Sequence, residues 1–595
     1  MSKGNCHMSA ALGPKRHRST GSPFRSELNP VLTSLFVALL LVASSAAQGA
    51  VVNAVSPSLA DVTAAIDSAA DGDTVTIPKG TGEWTSTVKI SKGITLMGQT
   101  TTDPVHKTAN DQTIISVKTG TDGNTPLLMV ETALGKSYRV SGITFRTGQT
   151  SKVNSNGMIR IGGNSQAVRL DHCHFDDLRY ENNNIGVWGP IYGVIDHNLF
   201  DFRPGSTIQS IYINMDGWGG HSYGDGSWAE PPYYGSEKFV FIEDNCFNNR
   251  SGSEFAGVVD CWRGGRYVLR YNHVYDVPIA QTHGTEIGRE RGARCMEVYN
   301  NDYHWTVSRN IGGARSGGLI SHDNTHDGVQ PERGNSVGAY RVFFTFVGAP
   351  FTGATGDNPW DYNVTEPDGR HVEGHPPYLF ESGTCSAGTN KEYIVDKTKN
   401  WKPQQWNGYT AKRLSDGKLG LIYDNTNNTL KVLYHEGYGG GANWQPGEQY
   451  EIHRVLIAMD QACRGAGDLI TGEHPINSNS RGQAWPHQAL EPCYSWNDIY
   501  TPTGAHVNMT FATGAFAVLQ EGRDFYNNTP MPRYIPYTYP HPLTISLPQS
   551  QLSPDSQRHV NESSQRTDRK VKTWKWGKAK ENSASKTAKQ VAPGQ

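Results

Sequence analysis

Two stretches of this 595-residue chain concentrate acids and guanidiniums. The first runs from Glu254 to Asn272 and holds Asp260, Arg263, Arg266 and Arg270. The second runs from His283 to Tyr303 and holds Glu286, Arg289, Glu290, Arg291, Arg294 and Glu297. Each precedes a strand-like segment, and they lie one repeat apart, so stacked coils would bring matching positions within about 4.8 Å. Such a set suits β-elimination on a uronic acid. The sugar must lose the proton α to its carboxylate, and that carboxylate needs a cation or guanidinium beside it. A base must also reach the proton. Asp260 and Glu286 are the candidate ligands for Ca²⁺, which bridges acidic sugars and acidic protein through oxygen atoms. Arg263 and Arg294 are placed to fork onto the substrate carboxylate. His283 belongs to the same catalytic set, and Arg266 and Arg291 are further substrate contacts. In the Gly-rich segment 204–234, Trp218 and Trp228 would stack on sugar rings and His221 would bind at the lip. Two other readings use the same residues. A solvated charge ladder between coils needs no substrate. A glycoside hydrolase needs two acids roughly 5–10 Å apart, for which Asp260 and Glu286 are the nearest pair.

The elements that position these residues come from a repeated phrase. Val168–Phe175, Val194–Phe200, Val240–Phe247, Tyr267–Val274, Met296–Asn301 and Leu319–Asn324 are each an alternating strand ending in Asn, or in Cys173 in the first copy. The interval is roughly 23 to 29 residues, doubled once between Asn198 and Asn245. One coil cannot bury its own apolar face, so neighbours stack and share a core. The terminal amides, Asn198, Asn245, Asn272 and Asn324 among them, are expected to stack on one inner turn. Upstream, Ser58 N-caps a short amphipathic helix with Leu59, Val62, Ile66 and Ala69 on its apolar face. Strands over Asp73–Pro78 and Thr87–Gly98 follow.

Helix, strand and Asn-terminated repeat together resemble the right-handed parallel β-helix of the pectate-lyase-like superfamily. The fold expected is therefore all-β: a single-stranded right-handed parallel β-helix, with an N-terminal capping helix and a small inserted β module. Asp171-His172 and Asp196-His197 resemble that family's Ile-Asp-His strand, and Gly257-Val-Val-Asp260 resembles its calcium motif, with Ala256 where the first Asp would stand. Arg289-x-Arg-x-x-Arg294 keeps the outer spacing of the family's Arg-x-Pro-x-x-Arg, with Arg291 in place of Pro. The resemblance implies Arg289 as the base. It covers most of residues 55–350 as a fold, and only these few positions as a site.

Composition sets the remaining bounds. The formal charge of −2 conceals an acidic body: the tail from Gln551 is +6 and residues 1–30 are +4, which leaves −12 over 31–550. An acidic body is not a general polyanion trap, so nucleic acid is not an expected partner and an acidic glycan would need a local basic site. Basic residues Lys15, Arg16, Arg18 and Arg25 precede the apolar run Val31–Val42. That run is too short to span a bilayer, and Ser45 and Ala47 follow it, the pattern of a cleaved export signal over 1–47. The expected outcome is a secreted or cell-surface protein with no stable membrane insertion. The domains read as a β-helix over 48–385, an inserted module over 386–455, further coils over 456–547, and a basic, unstructured tail over 548–595. Of the seven cysteines beyond the signal, Cys463 and Cys493 are the pair expected to bond. The function expected is a polysaccharide lyase on a uronate-containing glycan, with a glycoside hydrolase or a non-catalytic glycan-binding protein as alternatives. Oligomeric state is open at this point.

Overall fold

In the computed structural model the chain is a parallel β-helix with its coils built from three sheets of 12, 11 and 10 strands. The described residues are 49–117, 126–146, 158–178, 184–202, 209–215, 224, 227–228, 230–249, 257–277, 280–284, 292–309, 311–331, 336–337, 379–406, 410–433, 443–453, 462–465, 489–511 and 519–545. The expected signal, the basic tail and the segment 338–378 lie outside them. Successive coils pair in parallel. In the first sheet Ser141, Asp171, Asp196, Glu243, Arg270, Tyr299, His322 and Trp496 occupy one row. Ser58 caps the helix Leu59–Ser68, which buries Val62, Ala65 and Ile66 over the first coils.

The amide stack runs through the interior without a gap. The backbone N–H of Cys173 donates to Asn198 Oδ1, that of Asn198 to Asn245, that of Asn245 to Asn272, and so on through Asn301 and Asn324 to Asp498 Oδ1, at 2.9–3.1 Å. Each ladder Nδ2 also donates to the next ladder oxygen and to backbone carbonyls, as Asn245 does to Ile195 and Glu243. The residue before each ladder position adopts a left-handed conformation, with φ of 52–56° at His172, His197, Asp244, Tyr271, Asn300, Asp323 and Asn497. None of these is glycine, so the turn depends on the ladder to hold it. Beside the ladder the core carries a stack of Phe145, Phe175, Phe200 and Phe247, with centroids 4.6–5.6 Å apart.

Two features cover the outside of the coils. A hairpin of Thr101–Asp103 and Thr108–Asn110 lies on the second sheet, where Thr102 bonds the His197 carbonyl and Lys107 sits 3.7 Å over the Tyr275 ring. On the first sheet, residues 534–544 run back along the stack as a strap. Tyr534 donates to Glu297, the Tyr537 and Thr538 carbonyls accept from Arg270, Tyr539 donates to Asp244, and the Leu543 and Thr544 carbonyls accept from Arg169. Asp171 and Asp196, the positions that resemble a family motif, are fully buried ion-pair partners of Arg139 and Arg169 on this covered face. They are structural and face no substrate.

A six-stranded antiparallel sheet spans Leu379–Thr384 to Gln449–His453 and has its own core, with Trp401, Trp406 and Trp444 buried. After it Cys493–Trp496 rejoins the first sheet against Ile320–His322. Cys463 and Cys493 are both thiols, with their sulfurs 3.4 Å apart.

Asn245→Ala removes an acceptor for two Asn198 N–H groups and strands two carbonyls. With each orphaned buried group costing about 1–3 kcal/mol, the variant should lose at least ~3 kcal/mol in denaturant unfolding. A loss below about 1 kcal/mol would mean the ladder is not a main support.

The strap offers a second test. Glu297 is fully buried, and burial pushes its carboxyl up to about 7 against the Tyr534 hydroxyl and the Gly235 N–H that it accepts. The unfolded chain sheds this proton near pH 4.3, so between there and pH 7 the folded state holds the extra proton. Stability should fall as pH rises across that window and level off above it. Glu297→Gln should flatten this part of the Tm-against-pH curve, whatever its absolute cost; an unchanged slope would rule Glu297 out as the titrating group.

Candidate functional site

The third sheet presents a different outer face. Its strands alternate core and outside residues, and the register aligns the outside ones into two rows. One row is Met129, Arg160, Gly186, Tyr212, Asp260, Gln281 and Gly313. The other is Glu131, Gly162, Trp188, Asn214 and Trp262, which continues through His283 to Arg315 because His283 N bonds Cys261 O and Arg315 N bonds Thr282 O. Trp188, Tyr212, Trp262, Arg160 and Gln281 are half-buried, while Asp260, His283 and Arg315 are buried. Trp262 and His283 stack with centroids 3.4 Å apart and planes at 19°. Trp188 and Tyr212 pack at 5.2 Å in a tilted pair. Gln281 Nε2 donates to Asp260 Oδ1 at 3.2 Å. Burial lowers the Arg160 pKa.

Of the residues singled out in the sequence, Asp260 and His283 come together on this face. Arg263 follows Trp262 at its edge, with φ of 47°. Trp218, His221, Glu286, Arg289 and Arg291 lie outside the described residues. On either side of the segment that carries Glu286, Arg289 and Arg291, Ala293 N bonds His283 O at 3.0 Å.

Arg266, Arg294 and Trp228 do not join them. The chain turns a corner at Gly264 and Gly265, so Arg266 opens the next strand, on the first sheet. Its guanidinium is buried and donates to Ser227 Oγ and to the Ser227, Pro231 and Pro232 carbonyls, and burial lowers its pKa. Arg294 lies one coil on, next to Cys295, the register partner of Arg266, and is fully buried. It holds Glu491 at 2.5 and 3.1 Å and the Glu230 carbonyl. Burial works against the Arg294 charge and the Glu491 carboxylate outweighs it, so its pKa is raised. Trp228 is 0% exposed and donates its indole N–H to the Gly292 carbonyl. These three fasten the 227–232 segment to the coils and are unavailable to a sugar. Conversely, the sequence reading passed over Arg160, Trp188, Tyr212, Trp262 and Arg315. Their signal is the outside–core–outside triplet that recurs in Tyr212-Ile-Asn214, Asp260-Cys-Trp262, Gln281-Thr-His283 and Gly313-Ala-Arg315.

The calcium expectation meets a sparse donor set. Among the described residues Asp260 is the carboxylate in its part of this face, whereas Ca²⁺ takes six to eight oxygens. Asp111, His174 and Asp176 form a compact acidic group elsewhere, with ligand atoms within 4.8 Å of one another. Arg146 already bonds both carboxylates, and His174 lies between Asp111 and Asp201 at 2.8 and 3.1 Å. Burial opposes the His174 charge, but the Asp111 and Asp201 carboxylates raise its pKa to about 9. These groups are already engaged in ion pairs with Arg146 and with one another.

No protein-family model and no curated protein sequence matches the chain. Among solved structures it is similar to an alginate lyase from Paenibacillus sp. str. FPU-7, at 13% identity over 47% of this chain and 95% of that one, with a TM-score of 0.26. A PL6 family alginate lyase gives 15% identity over 48% of this chain and 39% of that one, at a TM-score of 0.27. A tailspike of Acinetobacter baumannii bacteriophage Fri1, a capsular polysaccharide depolymerase, gives 11% identity over 70% and 85%, at 0.19. Function is therefore read from the chain's own residues. No helix among the described residues is long and apolar enough to cross a membrane.

Substitution separates the two groups of arginines. Arg294→Met should lower stability by about 3 kcal/mol or more, because it leaves Glu491 without its buried partner, and should leave glycan affinity within about twofold. A selective loss of affinity at unchanged Tm would return Arg294 to the site.

Proposed function

We propose that this is a secreted polysaccharide lyase that cleaves a uronate-containing glycan by β-elimination on the outer face of the third sheet. The observation that carries the reading is the pair of outside rows. Aromatic, amide, carboxylate and guanidinium groups succeed one another along the coil axis at one strand spacing, about 4.8 Å, a step close to the length of one sugar residue. Half-buried Trp188, Tyr212 and Trp262 offer apolar ring surface, and Arg160 and Arg263 offer cations on an otherwise acidic body. In this reading Arg289, which follows His283 in the sequence, takes the proton α to the carboxylate. The electron pair forms the ring double bond and expels the glycosidic oxygen. Arg263 steadies the carboxylate, and His283, held on the Trp262 ring, borders the reacting carbon. No step is assigned to calcium.

The alternative hydrolase reading rests on Asp260 with Glu286, and Glu286 lies outside the described residues. Among the described residues the other carboxylate of these rows, Glu131, lies four coils from the Asp260 coil, about 19 Å at the strand spacing, too far for a catalytic acid pair. Incubating the mature chain with a panel of uronate polymers should give an unsaturated, ultraviolet-absorbing product, and Arg289→Lys should abolish it while leaving binding intact. A parallel arm with chelator tests the calcium expectation, in which Asp260→Ala would be partly rescued by added Ca²⁺. Saturated reducing ends would favour hydrolysis, and binding without product would leave a glycan-binding protein.

A further inference from the structure

After the six-stranded sheet, the chain re-enters the coil stack through a two-stranded antiparallel ribbon, Arg464–Gly465 against Ala489–Leu490. Cys463 stands just before one arm, and Cys493 begins the coil strand that follows the other. Both side chains are 0% exposed. Their backbones are fixed on either side. Cys463 N donates to Gly317 O at 2.7 Å, Cys463 O accepts from Glu491 N at 2.9 Å, and Cys493 N donates to Asp524 O at 3.0 Å. The strand Cys493–Trp496 is held in register between Ile320–His322 and Phe525–Asn527. Two thiols are thus pressed together at 3.4 Å in a dry, rigid corner. The Cys463 contact, then burial, raises the Cys493 thiol pKa well above its usual value. A thiol–thiol hydrogen bond is weak. A disulfide needs the sulfurs at about 2.05 Å, so the two must draw closer to bond.

We propose that Cys463 and Cys493 are a disulfide site that staples the re-entry ribbon to the coils and closes residues 464–492 into a loop. The step is an exchange with a small-molecule disulfide such as oxidised glutathione. One cysteine thiolate attacks it and releases one reduced thiol. The second cysteine then displaces the other, so one S–S bond forms in the protein, one breaks in the reagent, and the two protons leave with the two reduced thiols. Exchange needs access to a reagent, and the sealed corner gives none. The bond therefore forms during folding, while the ribbon is open. This inference is independent of the glycan reading, and a failure of one leaves the other standing.

The full chain is refolded in mixed reduced and oxidised glutathione, denatured without reductant, alkylated and mapped by mass spectrometry. The expected result is one linked peptide pair that joins Cys463 to Cys493. Reduced protein folded first and then placed in the same buffer should form the bond at least about tenfold more slowly. Reductant should lower the Tm of the oxidised wild type and leave that of the double variant Cys463→Ala, Cys493→Ala unchanged. Alkylation at both positions, or a link from either to another cysteine, overturns the proposal. A Tm drop of equal size in the double variant overturns the staple. The mapping needs only the wild type, so it decides even if the variant fails to fold.

Discussion

Everything outside the core is aligned by the asparagine ladder within it. One side-chain amide per coil accepts the backbone N–H of its neighbour and returns its own hydrogens to carbonyls of both coils. This fixes where each coil turns, and hence the register of the strands on both sides. In a sheet a slip of one residue exchanges inside for outside. A coil that missed its ladder contact would turn Trp262 into the core and Cys261 out. The ladder also holds seven non-glycine residues in a left-handed turn, a conformation that costs of order 1–3 kcal/mol each. The stack ends on Asp498, which takes two hydrogens from Asn324 and one each from Ser321 and Ser495. Burial pushes this carboxyl up to about 6 against those bonds.

The ladder is also the part of the fold most legible in the sequence. A polar residue that must recur at each turn leaves a mark that loops of variable length cannot erase. Asn198, Asn245, Asn272, Asn301 and Asn324 all end copies of the repeated phrase, and all five lie in the ladder. The capping helix was legible because Ser58 and its apolar spacing are local signals. The candidate site was only half legible. Asp260 and Arg266 are six residues apart, and sequence proximity suggests one cluster. The corner at Gly264 and Gly265 sends them to faces of different sheets. Nothing local distinguishes an arginine bound for solvent from one bound for the Ser227, Pro231 and Pro232 carbonyls. That depends on which distant segment folds over it. Trp262 was overlooked because its meaning depends on register with Trp188 and His283, each on another coil.

The buried arginines explain how the lateral elements stay in place. Arg169, Arg266, Arg270 and Arg294 all accept the cost of desolvation, and each is met by a carboxylate, by backbone carbonyls, or by both. Carbonyl acceptors from residues 227–232 and 537–544 make these guanidiniums clamps. The planar fork reaches two successive peptide groups at once, as Arg270 does with Tyr537 and Thr538. Such interactions contribute less to net stability than to specificity of docking. They favour one seat for the strap, along coils whose outward rows carry the matching charges.

This arrangement assigns different work to the faces of the same solenoid. The first sheet is closed by the strap and the 230–238 segment, and its charged rows are consumed by them. The second sheet is partly covered by the hairpin, which reaches from the His197 carbonyl to the Tyr275 ring. Further along, its polar groups pair among themselves, as His304 does with Asp327 at 2.7 Å. The third sheet differs in kind. Its outer rows keep half-buried indole and phenol rings beside charged groups, a costly surface to leave partly wet unless something binds there. The indole N–H groups of Trp188 and Trp262 are buried and meet no hydrogen-bond partner among the described residues, which a protein seldom tolerates without a use for them. A rigid ladder inside, two faces spent on structure and a third left aromatic and polar are what a scaffold needs to hold a long, repetitive ligand along its axis.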